Sequence, residues 1–188
     1  NMILLNRTAG HTYVAESGLI ANTGLPNHKT PFTVLSTERV LADGAQDLVI
    51  KMASAPVAGV QLVKTFTLHR GNYAIDVKQE VVNASAVAVS PQLYVQLVRD
   101  GNQTENSTPF YSTFTGPAVY TEEKKYQKVA FADIEKSKAE FATATSDGYV
   151  AMVQHYFTSA WLINDGVARD NFARKTDGAE TGGTFLVG

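Results

Sequence analysis

Hydrophobic and polar side chains alternate along much of the chain with a period of two, the spacing that sends successive side chains to opposite faces of a β-strand. Tyr73, Ile75 and Val77 share one face and Ala74, Asp76 and Lys78 the other, which predicts a half-buried strand with one wet side. Leu93, Val95 and Leu97 repeat the pattern. Over 60–68, Val60, Leu62, Phe66 and Leu68 fall together and Lys64 interrupts them, which places this strand near a sheet edge or draws the ammonium outward along its own stem. Residues 149–157 are apolar on both faces, Tyr149, Ala151, Val153 and Phe157 against Val150, Met152 and Tyr156, as a central strand requires. Phe157 and the nearby Trp161 are therefore expected in the core, where Trp161→Ala would cost about 3–5 kcal/mol through the cavity it leaves.

Asp-Gly pairs at 43–44, 100–101, 147–148, 165–166 and 177–178, with Arg70-Gly71-Asn72, supply the positive φ that tight turns need between such strands. Short alternating runs separated by turns predict an all-β fold of antiparallel sheets stacked as a sandwich. Helix is scarce. The best candidate, of one or two turns, starts at Thr121 as N-cap, with Glu122 and Glu123 complementing the positive end of its dipole. The stretches 21–30 and 100–109 read as loops, and the second is the better binding loop because Phe110, Tyr111 and Phe114 follow it. Those aromatics can equally begin the next core strand.

The 188 residues suit one domain, without internal repeats. Hydrophobic residues at 44% and charged ones at 18% support a folded core rather than disorder. A formal net charge of −2 offers no positive field for a phosphate backbone, so nucleic acid is not an expected partner. The absence of cysteine excludes disulfides and thiolate chemistry. Neither a signal peptide nor a run of some 20 apolar residues able to cross a bilayer is recognisable in these residues.

Catalytic chemistry is not legible. His11, His28, His69 and His155 are scattered without a ligand spacing, so no metal or cofactor is expected, and His155 reads as structural within its apolar strand. No G-x-S-x-G elbow is present, and Gly182-Gly183 lacks the Lys-Ser/Thr of a phosphate loop. Asp76 and Glu80 point to one face of one strand, the arrangement of a solvated face rather than of an acid/base pair. No catalytic residue is assigned and the chain is not expected to be an enzyme.

Three blocks resemble a known family. Lys64, Phe66, Leu68, Arg70, Gly71, Tyr73, Ile75 and Val77 match the K-x-[YF]-x-[FL]-x-R-G-x-Y-x-[IV]-x-V strand pair of the periplasmic domain of the YidC membrane protein insertases. Phe114, Gly116, Ala118 and Tyr120, then Glu123 to Lys128, are similar to its F-x-G-x-A-x-Y…E-K-Y-x-K segment. Gly148, Ala151, Met152, Gln154, Tyr156, Phe157, Ala160 and Trp161 follow its G-W-x-A-M-x-Q-x-Y-F-x-x-A-W block, with Tyr149 in place of the usual Trp. Residues 7–18 are similar to D-R-F-Y-V-A-Q-S-G-L, with Glu16 in place of Gln. Relative to the family the chain is shortened at both ends.

The resemblance implies a twisted supersandwich like that of galactose mutarotases, with one or two short helices, in a single periplasmic domain spanning residues 1–188 on the outer side of the bacterial inner membrane. It implies an accessory, non-catalytic part in inserting and folding membrane proteins, through contacts with auxiliary subunits of the Sec translocon or with nascent membrane proteins. The transmembrane groove that shelters substrates in that family lies outside this chain. The alternative is a carbohydrate-binding or epimerase-like sandwich, with Tyr120, Tyr126 and Trp161 stacking on sugar rings; fold likeness alone is no warrant for it. A monomer is expected. The partner surface is expected on 110–128, where Phe110, Tyr111, Tyr120 and Tyr126 offer aromatic anchors and Glu122, Glu123, Lys124 and Lys125 a polar rim. The competing arrangement packs these tyrosines inward.

Overall fold

The computed structural model describes residues 5–22, 24–102, 113–154, 156–176 and 183–188. Among them the fold is all-β with one short helix, in two compact units, Asn1–Glu16 with Val95–Gly188 and Ser17–Tyr94. The unit boundaries fall inside two strands, β2 (His11–Ile20) and β7 (Gln92–Asp100).

The first unit is a sandwich. One sheet has the order β1-β2-β7-β15-β14, with β1 Asn6–Thr8, β14 Ala173–Thr176 and β15 Thr184–Val187. The other has the order β12-β11-β8-β9, with β8 Thr115–Thr121, β9 Lys125–Lys128, β11 Tyr149–Gln154 and β12 Phe157–Leu162, antiparallel throughout. Their facing sides meet in one cluster, Tyr13, Leu97 and Val187 against Val119, Val150 and Met152. Tyr13 and Met152 have no exposed surface, and the Tyr13 hydroxyl donates to the Met152 carbonyl at 3.2 Å. Trp161 packs against this cluster and its Nε1 donates to the Gln96 carbonyl at 3.1 Å.

Buried charge in this unit is fully partnered, as the cost of desolvation demands. Asp100, with no exposure, accepts from the backbone N–H groups of Thr12 at 2.7 Å and Asn102 at 3.0 Å. Buried Arg99 donates to Gln154 Oε1 and to the Asp100 and Asn102 carbonyls. Glu16 accepts from Arg7 at 2.8 Å and from Gln96 Nε2 at 2.7 Å, so the acidic residue at this position has two donors of its own.

The apolar run 149–157 is a hairpin rather than one strand. β11 ends at Gln154, which pairs with Phe157, the first residue of β12. The reversal carries no Gly or Pro and so leaves no turn signal. β11 is central, as expected, but Phe157 is 40% exposed on the outer strand, against the expectation of burial. His155 lies outside the described residues. The expected helix at Thr121 is also absent. Thr121 Oγ1 does accept from the Lys124 N–H at 3.0 Å, as an N-cap would, but 122–124 form only the loop joining Thr121 to its cross-strand partner Lys125. The helix, α1, is Phe131–Glu135, a single turn held by burial of Ile134 and by Phe131 stacked on Phe185 at 4.3 Å. β10 (Ala144–Thr145) and β13 (Arg169–Asp170) pair as a separate two-stranded ribbon.

The second unit is a sheet of order β3-β4-β5-β6, with β3 Phe32–Val34, β4 Asp47–Ser54, β5 Val60–His69 and β6 Ile75–Asn83. Leu19 and Leu25 close over Val60 and Leu62. Gly18 fits only as glycine, since a Cβ would stand 2.6 Å from both the Asn27 Cα and the Tyr94 hydroxyl. Lys64 corrects the expectation of an edge or an extended ammonium. It lies on the inner strand β5, 7% exposed, with Nζ donating to the Ser17 carbonyl at 2.8 Å and 4.7 Å above the Phe32 ring. A backbone acceptor and an aromatic face replace the water it loses. Tyr73 precedes β6 and is fully exposed, and Ile75 is 52% exposed, so the wet strand is wetter than its alternation suggests. Gly44, Gly71, Gly148 and Gly166 have positive φ, as the turn signals require, whereas Gly101 does not and Gly178 lies outside the described residues.

At one end of this sheet His69 sits between two carboxylates, its Nδ1 2.6 Å from Asp47 on β4 and its Nε2 3.0 Å from Asp76 on β6. The bond to Asp76, then that to Asp47, raises the imidazole pKa above its ordinary value. A raised folded pKa stabilises below the unfolded pKa, about 6.5, and the contribution is lost as pH rises through the higher folded value. The stability difference between wild type and His69→Gln in urea titrations should therefore be widest below about pH 6 and shrink through the alkaline range; a difference independent of pH would contradict the clamp. In the first unit, Met152→Ala should cost about 2–5 kcal/mol and Trp161→Ala about 3–5 kcal/mol, and Phe157→Ala no more than about 1 kcal/mol, read as shifts of the unfolding midpoint.

Candidate partner-binding face

The expected site residues fall on the hairpin β8–β9 and its loop. Strand parity decides where they point. Val119 and Val150 face the core, so their neighbours Tyr120 and Tyr149 must face away from it. Tyr120 pairs with Tyr126 on one side and Tyr149 on the other, and Tyr149 with Leu162. Tyr126, Tyr120, Tyr149 and Leu162 thus form one row across four strands, roughly 14 Å at the spacing of adjacent strands. Tyr120 and Tyr149 stack with centroids 5.2 Å apart and planes 12° from parallel, Tyr126 is 44% exposed and Leu162 70%. The inward packing weighed from the sequence does not occur for Tyr120 and Tyr126.

The loop is held from two directions. The Glu122 N–H donates to Asp147 Oδ1 at 3.1 Å, and Lys125 closes the loop with a φ of 56°. Gly148, at φ 80°, passes so close to the Tyr120 carbonyl that a Cβ would stand 1.9 Å from it, which no side chain allows. Arg169 anchors the same turn from beyond, its Nη2 donating to the Gly148 carbonyl at 2.9 Å.

Glu122 stands at the end of the tyrosine row and takes two donors, the Tyr120 hydroxyl at 2.9 Å and Lys125 Nζ at 3.0 Å. Lys125, then Tyr120, holds the Glu122 carboxyl below the usual range, while the carboxylate raises both the Tyr120 hydroxyl and the Lys125 ammonium. Burial, then Tyr149, raises Tyr126. Glu123 and Lys124 pair at 3.4 Å. These pairs are exposed and add little to stability; they leave the rim nearly neutral. Lys128 Nζ lies 5.3 Å from the Phe114 ring.

Tyr120, Glu122, Glu123, Lys124, Lys125 and Tyr126 are therefore together. Phe110 and Tyr111 lie outside the described residues. Tyr149 and Asp147 belong to the same face and were not singled out for it, because only the register of β8 against β11 brings them to Tyr120 and Glu122. Among the described residues no cluster of three His, Asp or Glu side chains can hold a metal ion, and no helix is long and apolar enough to cross a membrane.

A sequence model described as the YidC periplasmic domain matches residues 1–187. The chain belongs to the YidC periplasmic domain family. Among curated relatives, the membrane protein insertase YidC of Cupriavidus metallidurans is 49% identical over 94% of this chain and 31% of its own length. Those of Aromatoleum aromaticum and Bordetella avium are 47% and 44% identical over 93% and 90% of the chain. The chain spans about a third of the length of the YidC relatives it matches. Family membership accounts for the ordered motif blocks, and the structure gives two of their small residues a reason: Gly148 clears the Tyr120 carbonyl, and Gly18 clears Asn27 and Tyr94.

Removing the carboxylate tests the network at the row's end. In Glu122→Gln, Tyr120 should lose the charge that raises it and titrate earlier than in wild type, with Tyr126 unmoved, as followed by tyrosine-selective NMR through the alkaline range; coincident Tyr120 curves would contradict the bond.

Proposed function

We propose that this chain is a single accessory domain on the periplasmic side of a bacterial inner-membrane protein insertase, and that its tyrosine row receives a partner protein. The observation that carries the reading is the outward row Tyr126–Tyr120–Tyr149–Leu162, bounded by the paired charges of Glu122, Glu123, Lys124 and Lys125. Aromatic anchors inside a polar rim are the composition of a protein interface, and nearly neutral rims favour a protein over a charged polymer. The partners of this reading are auxiliary subunits of the Sec translocon and nascent membrane proteins emerging beside it. The role is non-catalytic, without cofactor, and the relatives' name, membrane protein insertase, supports a part in insertion.

The carbohydrate reading has less behind it. A cleft of about 380 Å³ is lined by His28 and Tyr94 but by no carboxylate, and the clamped His69 lines neither this cleft nor the one of about 470 Å³ beside α1. An epimerase needs an acid and a base converging on one pocket.

Photo-crosslinkers at Tyr120, Glu123 and Lys125 in the full-length membrane protein test the assignment. Capture of a Sec subunit or of an emerging chain is expected there, and not at Arg174 on β14; the reverse distribution would move the interface off this face.

A further inference from the structure

The strand at the other edge of the same sheet has a different chemistry. An outer strand presents unpaired N–H and C=O groups to any passing backbone, and proteins guard such edges with charge, proline, bulges or shortness. β9 carries Lys125 and Lys128, β14 carries Arg174 and Lys175, and β6 carries Asp76, Lys78 and Glu80. β1 and β3 have three residues each. β12, Phe157–Leu162, has six residues, with no charge, no proline and no glycine. Each pairs in unbroken register with β11, from Gln154↔Phe157 to Tyr149↔Leu162. Among the described residues no backbone hydrogen bond joins β12 to anything else. Its side chains are uncharged and several are open to solvent: Leu162 is 70% exposed and Phe157 40%, and Thr158 and Ala160 are exposed between them.

We propose that β12 is a docking edge for an extended, uncharged, apolar polypeptide segment, which adds to this sheet as a further strand. Two features select that occupant. Alternate residues of β12 turn their N–H and C=O groups away from β11, and only another extended backbone matches that spacing. The side chains of β12 itself then set specificity, because all six are uncharged and offer no counter-charge for an ionised side chain; Arg169 lies beyond the strand's end, on the Ile163 and Asn164 carbonyls. A membrane-protein segment that has not yet formed its helical hydrogen bonds combines these properties, apolar side chains on an unsatisfied backbone. The inference goes beyond the tyrosine-row reading, which concerns the outward face of the sheet and reaches β12 only at Leu162, whereas this one concerns the backbone edge of β12 and is tested separately.

The probe is a capped, fluorescein-labelled peptide of alternating valine and threonine, with a twin N-methylated at every second residue, titrated into the chain by fluorescence anisotropy. The unmethylated peptide should bind, and the twin, which keeps the side chains but lacks the donors, should bind at least about tenfold more weakly, a loss of about 1.4 kcal/mol. Thr158→Lys and Ala160→Lys, at exposed positions with the unfolding midpoint kept as a check on folding, should weaken the peptide to a similar degree, and Arg174→Gln on β14 should not. Equal binding of the two peptides would reduce the effect to apolar adhesion and overturn the proposal. So would no binding, or a dimer in sedimentation that Ala160→Lys dissociates, which would make β12 an interface between copies. A failed peptide titration leaves the crosslinking test at Tyr120 untouched.

Discussion

The burial of Val119, Val150 and Met152 against Tyr13, Leu97 and Val187 is the constraint on which the first unit depends. A strand has only two faces, so committing one of them to the core assigns every neighbouring side chain to the other. Tyr120 and Tyr149 point outward because Val119 and Val150 point inward. A slip of one residue between β8 and β11 would send the tyrosines into the core and the valines to water. The candidate interface is the reverse side of the hydrophobic core, and its precision comes from core packing.

The same sheet treats its two edges differently. At β9 the chain turns back through a loop tied by Asp147 and Thr121 and furnishes the edge with lysines. At β12 it furnishes none. One sheet therefore carries an aromatic row whose charged rim lies at the β9 edge, and an uncharged strand at the other edge. In the second unit Lys64, buried, and His69, part-exposed, each hold charge against partners of their own, the Ser17 carbonyl for one and the Asp47 and Asp76 carboxylates for the other.

Much of this was legible beforehand. The period of two, the Asp-Gly and Arg-Gly-Asn turns and the ordered motif blocks pointed to antiparallel sheets and to the YidC periplasmic domain family, and the match over residues 1–187 agrees. The site was legible in composition, as tyrosines and mixed charges in one segment. Two local signals misled. Thr121 offers an N-cap bond that a hairpin loop uses as readily as a helix, and pairing of Tyr126 and Gln127 with Tyr120 and Val119 outweighs one helical turn. The run 149–157 reads as one strand because its reversal carries no Gly or Pro.

By itself the sequence determined which residues alternate, where most turns fall and which family the chain belongs to, because these rest on contacts between near neighbours in the chain and on motif order. Only the tertiary structure decided which face of each strand is inside, that Lys64 is buried on an inner strand, that Tyr149 stacks on Tyr120, and that β12 is an outer edge. Those are matters of register and strand order between segments far apart in the chain, and a period of two is equally satisfied by either face and by any place in the sheet.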